Sequence, residues 1–177
     1  MKKMYVTFMA LVLTVAMIVP VGVANAGSSW TPRIVVFGQI EMEWDGTFEQ
    51  YNLIGERGIM FSSIGFNHTY NGKLTGTASE TSWGNINDTN YGTFTGMFFS
   101  MGTTEFTGTL YGKSGTYTAE FWRMGKGGSD GYARGEQTII SGTGDFENLR
   151  GTIVYATKPQ DDGSYKGRYF GKLSFAP

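Results

Sequence analysis

From residue 33 onward the chain alternates between apolar and polar positions. Ile34, Val36, Ile40, Met42 and Trp44 share one parity, with Glu41 and Glu43 between them. The same period of two returns in Phe106, Gly108 and Leu110, and again in Tyr117, Ala119 and Phe121. Side chains two apart share one face of a strand, so the pattern predicts half-buried β-strands; no window after residue 27 has the periodicity of an amphipathic helix. The predicted strands are 33–44, 58–71, 73–82, 91–101, 103–111, 114–124, 131–141, 149–157 and 165–175, with 46–56 ambiguous. Turn signals separate most of them: Asn71-Gly72, Gly84 to Asn90, Gly112 to Gly115, Gly125 to Gly131, and Asp161 to Ser164. Eight or nine strands at hairpin spacing imply an all-β fold, an up-and-down barrel or a sandwich.

One local feature recurs. A large residue precedes a glycine by two positions in Leu74-Thr75-Gly76, Phe94-Thr95-Gly96, Phe106-Thr107-Gly108 and Tyr165-Lys166-Gly167. Ring and bare backbone then lie on the same side of the strand. Inside a barrel this lets the strand bend and leaves space beside the ring. Two compatible readings follow: large-against-small core packing, and a ligand-sized lumen lined by aromatic rings. The second makes Phe94, Gly96, Phe106, Tyr117, Phe121 and His68 the candidate ligand-binding residues.

The N-terminus reads as an address. Lys2 and Lys3 precede an uncharged run, Met4 to Val23, that ends in Ala24-Asn25-Ala26. A basic start, an apolar stretch and a small-x-small site describe a secretory signal peptide. Residues 1–26 are therefore expected to be cleaved, leaving one β-barrel domain over 27–177 in the periplasm or outside the cell. A membrane anchor is the competing reading, disfavoured by Pro20 and Gly22 near the end of the run. No membrane association is expected after cleavage. All but one of the 27 glycines fall after residue 26, and the chain has no cysteine. Disulfides, thiol nucleophiles and cysteine metal sites are thereby excluded. Loss of Lys2 and Lys3 takes the formal charge from −1 to −3. No basic run remains, which argues against nucleic-acid partners.

Candidate chemistry is sparse. Gly142-Thr143-Gly144 is not a phosphate loop, because no helix follows it and Arg150-Gly151 leads into another strand. It reads as a strand connection whose Phe146 and Leu149 plug one end of the barrel. His68 is the single histidine, so no multi-histidine metal site can form, and neither metal nor cofactor is expected. Asn85, Asn87, Asp88 and Asn90 bring oxygen atoms together without an EF-hand pattern. Strand parity turns Glu41, Glu43, Glu105 and Glu120 outward. Glu80 shares a face with Leu74, Gly76 and Ala78, and is the weak catalytic candidate. Buried among rings, its pKa would rise and it could move a proton. The bland alternative ends the strand before Glu80 and leaves it at the rim. His68, on the apolar face of Ile64, Phe66 and Tyr70, reads as a hydrogen-bonded core group that need not touch Glu80. Arg134 and Glu136 share a face whose orientation is open.

Several motifs occur in a telling order. They are Trp44-Asp45, Tyr70-Asn71-Gly72-Lys73-Leu74-Thr75-Gly76, Phe106-Thr107-Gly108-Thr109-Leu110-Tyr111-Gly112-Lys113-Ser114-Gly115, and SGTGDFENLRG from Ser141 to Gly151. Together they resemble a bacterial family of unknown function with an allene-oxide-cyclase-like β-barrel, over about residues 33–175. Family members often carry His where this chain has Phe121, so chemistry at that histidine would not carry over. The resemblance implies a single antiparallel closed barrel of about eight strands, of the calycin type. Three functions fit: binding of a small apolar or aromatic molecule in the lumen, cofactor-independent isomerisation or cyclisation of a hydrophobic substrate, or a filled structural module. Homo-oligomerisation is left open. Fold relatives alone do not choose among them.

Overall fold

The computed structural model describes residues 32–54, 58–87 and 95–176. The expected signal segment 1–26 lies outside them, as does Phe94. Among the described residues there are eight strands and no helix. They are β1 (Ile34–Ile54), β2 (Gly58–Gly72), β3 (Leu74–Asn87), β4 (Met97–Leu110), β5 (Lys113–Lys126), β6 (Tyr132–Gly144), β7 (Leu149–Pro159) and β8 (Tyr165–Phe175). Each pairs antiparallel with its sequence neighbours, and β1 pairs with β8, so the sheet closes on itself in simple chain order. Closure leaves no unpaired sheet edge.

Two expected breaks are absent. Residues 97–101 of the predicted strand 91–101 and 103–110 of the next form one strand, β4, running through Gly102; residues 91–94 lie outside the described residues. Gly102 pairs with Ser82 on one side and Phe121 on the other. A Cβ there would strike the carbonyl of Thr81, so the glycine marks close strand approach, not a turn. Residues 46–54 of the ambiguous stretch 46–56 join the predicted strand 33–44 in the 21-residue β1; residues 55 and 56 lie outside the described residues. Asp45-Gly46-Thr47 is a bulge inside that strand: Gly46 has φ 91° and Asp45 Oδ1 accepts from Thr47 N at 2.7 Å. The β4–β5 connection is a two-residue hairpin in which Tyr111 (φ 49°) and Gly112 (φ 81°) both take positive φ, matching the twist of the flanking strands.

One half of the ring is solid. Gly76, Gly108, Gly115 and Gly144 pair in a row across β3–β6. Rings occupy the space this row leaves: Phe106 lies on Gly76 and Gly108, and Phe146 on Gly115. Phe106 stacks on Tyr117 (centroids 4.7 Å apart) and meets Tyr70 edge-on at 5.5 Å. Phe146 and Leu149 are wholly buried at this end, where they act as the plug. Tyr169 Oη donates to Leu74 O (2.7 Å) and accepts from Leu74 N (2.9 Å), which ties β8, over Gly38 of β1, to the β2–β3 hairpin. For the Leu-x-Gly and Phe-x-Gly pairs of β3 and β4, large-against-small packing is therefore what the glycines do.

Candidate functional site

Past this filled half, the inward positions turn polar. Glu80 sits in mid-strand on β3 and is 2% exposed. It is a core carboxylate and not a rim group, because β3 continues to Asn87. Phe66 pairs with Glu80 and His68 with Ala78, so His68 and Glu80 are diagonal neighbours on the inner face. They touch after all: His68 Nε2 lies 3.0 Å from Glu80 Oε2. The third member is Arg123 on β5, whose Nη2 is 2.9 Å from Oε1 and whose Nη1 is 3.4 Å from Oε2. The guanidinium also sits 4.6 Å from the centre of the Phe66 ring and 5.7 Å from that of Phe121, within cation–π range.

Burial alone would raise the pKa of Glu80, but the positive charge of Arg123 and the contact with His68 outweigh it. The carboxyl is held below its ordinary value. The expected upward shift toward acid–base chemistry is thus reversed, because the sequence reading did not include Arg123. Directly beneath, Tyr70 Oη donates to Gln137 Oε1 at 3.1 Å, and Gln137 Nε2 approaches Thr104 Oγ1 at 3.5 Å. Burial pushes the Tyr70 phenol well above its ordinary pKa, so it stays a neutral donor.

Above this polar layer lies a cleft of about 290 Å³, opening at the end where the β5–β6 and β7–β8 turns sit. Its walls are Met42, Trp44, Phe48, Phe61, Ile64, Phe66, Ile86 and Phe98, with Ala133, Gly127 and Tyr165 at the side. Arg123 and Ser100 supply its buried polar floor. The site is therefore an apolar, ring-lined cup over a charge-paired base. Tyr165 adds a phenol whose pKa is raised by desolvation against the opposing effect of Arg123.

The expected ligand-binding residues divide. Phe106 and Tyr117 belong to the filled half. His68 and Phe121 lie in the polar layer, in contact with Glu80 and Arg123 respectively. Gly96 precedes β4 in a half-exposed bend, where its carbonyl accepts from Gly127 N at 3.0 Å. It is not on an inner strand face. Arg134 and Glu136 face outward; Gln137, of opposite parity, faces in. Arg123, Ser100, Thr104 and Gln137 were not foreseen. Arg123 had a signal, since it continues the inward parity of Tyr117, Ala119 and Phe121. Thr104 shares parity with Phe106 within the predicted strand 103–111, whereas Ser100 shares it only once β4 is read as a single strand.

No family model matches the sequence, and no curated protein matches it. Among solved structures, the chain is similar to a crystal structure of a protein of unknown function from the DUF3224 family of Shewanella oneidensis MR-1. The TM-score is 0.59 at 16% identity, over 82% of this chain and 100% of that one. At that identity the likeness concerns the fold alone. It agrees with an all-β protein of unknown function built on a closed eight-stranded ring.

Proposed function

We propose that this is an exported β-barrel protein, periplasmic or extracellular, that carries a small apolar or aromatic molecule in the ring-lined cleft. The observation that carries the reading is the cleft itself: about 290 Å³, walled by six aromatic side chains among its lining residues, above a buried ionic floor. Pockets for small molecules combine this kind of apolar wall with a few placed polar groups. The plain neighbour-to-neighbour strand order supports an allene-oxide-cyclase-like, calycin-type barrel. The cyclase-type alternative would need an acid or base at the bound molecule. Glu80 and His68 sit behind Arg123 and are not among the cleft-lining residues, which favours carriage over turnover. The filled-module reading describes only the plugged half.

The test is binding of a neutral fluorescent probe, N-phenyl-1-naphthylamine, to the chain lacking residues 1–26. Probe emission should rise, and Trp44 emission should change, because Trp44 forms part of the cleft wall. Ala133→Phe should fill the cleft and abolish the signal while the far-ultraviolet circular dichroism stays that of the parent. Unchanged probe binding in a folded Ala133→Phe variant would overturn the assignment.

A further inference from the structure

The floor of the cleft has an incomplete hydrogen-bond inventory. Ser100 is 0% exposed and Arg123 4% exposed, and both line the cleft. Ser100 Oγ is buried and has no hydrogen-bond partner among the described residues, and Arg123, its cross-strand neighbour, has the Tyr155 hydroxyl against its guanidinium. Buried polar groups are nearly always paired in folded proteins, so an unmet hydroxyl at the base of an apolar cup points to a ligand atom that completes it. The hydroxyl can donate and the guanidinium beside it only donates, so an acceptor atom suits both. The charge of Arg123 is already met: Glu80 takes both terminal nitrogens of the guanidinium, at 2.9 and 3.4 Å. A ligand carboxylate would place a second negative charge beside Glu80 in a desolvated layer, which is costly. An uncharged oxygen adds no such repulsion.

Resting on the carrier reading above, the geometry points to a ligand with a flat apolar or aromatic body and one uncharged acceptor oxygen, a carbonyl above all, held at Ser100 and Arg123. The body lies among Phe48, Phe61, Phe66 and Phe98, and the oxygen faces the floor. Phe66 already covers the guanidinium, so a ligand ring arriving there extends an existing stack. Ser100 and Arg123 then determine specificity, and Glu80 positions Arg123 without touching the ligand.

Three probes of matched shape separate the possibilities: 2-acetylnaphthalene, 2-ethylnaphthalene and 2-naphthoate, each titrated calorimetrically against the chain lacking residues 1–26. The ketone should bind roughly tenfold tighter than the hydrocarbon, as one added hydrogen bond to a charged donor allows. The naphthoate should bind no better than the hydrocarbon. On binding, the ketone carbonyl stretch should move to lower wavenumber, a readout that needs no variant. Ser100→Ala should shrink the ketone's advantage over the hydrocarbon. Equal binding of ketone and hydrocarbon with an unshifted carbonyl would sink the acceptor assignment and leave the carrier reading standing. Tightest binding of the naphthoate would overturn the uncharged specificity. Failure of all three to bind would remove the carrier reading and this inference with it.

Discussion

At the residue scale, Glu80 governs the middle of the barrel. Its folded pKa is depressed, so the unfolded chain binds the proton more readily. The stabilisation from the Arg123–Glu80–His68 cluster is therefore present above the ordinary glutamate value of 4.5 and is lost as pH falls through the folded value. Thermal melts should show the parent's melting temperature dropping on acidification below that value. Glu80→Gln should flatten that acid limb. At neutral pH the same variant leaves a buried guanidinium without its counter-ion, and urea unfolding should report a loss of about 3–5 kcal/mol. A Glu80→Gln variant as stable as the parent at pH 7 would mean that Arg123 finds another partner. Asp130 and Asp162 also have lowered pKa values, but both are exposed, so comparison with Glu80→Gln isolates the buried contribution.

At the element scale, the glycine row through β3–β6 decides how the strands cross. Gly108 faces Gly76 and Gly115, and a Cβ on it would meet the carbonyl of Thr75 and the ring of Phe106. Gly108→Val should cost at least the roughly 1–3 kcal/mol typical of overpacking, measured by chemical denaturation. A neutral result would show that the Phe106 ring can retreat. At the plug, Phe146→Ala removes a fully buried ring and should cost about 3–5 kcal/mol. Ligand affinity should survive that change, because Phe146 and the cleft occupy opposite halves of the barrel. The outer surface has its own pattern: Trp83, Met101 and Trp122 pair in one row across β3, β4 and β5, and exposed Phe99 and Met124 pair in the row beside it.

At the scale of the whole molecule, stability rests on ladder closure and core packing, since the chain has no cysteine. The proposed export predicts that N-terminal sequencing of the secreted product begins at or near Gly27. Retention of Met4 to Val23 in a membrane-bound product would overturn it. Alternation, turn residues and glycine spacing were enough to expect an antiparallel all-β domain. They were also enough to turn Glu105 and Glu120 outward and to place Phe146 and Leu149 in a plug, because burial and the period of two are local properties of one strand. What each inward group meets was beyond that logic. His68, Glu80 and Arg123 lie on three strands, and only the register of β2 on β3 and the reach of Arg123 from β5 over β4 to β3 join them into a cluster. The same holds for the division of the lumen. Rings at Phe106, Tyr117 and Phe146 fill one half because paired glycines admit them. Rings at Phe48, Phe61 and Phe98 line a cleft, and among the described residues no plug like Phe146 and Leu149 lies over them. Both halves carry inward rings; closure of the sheet, a long-range fact, decides which of them touch.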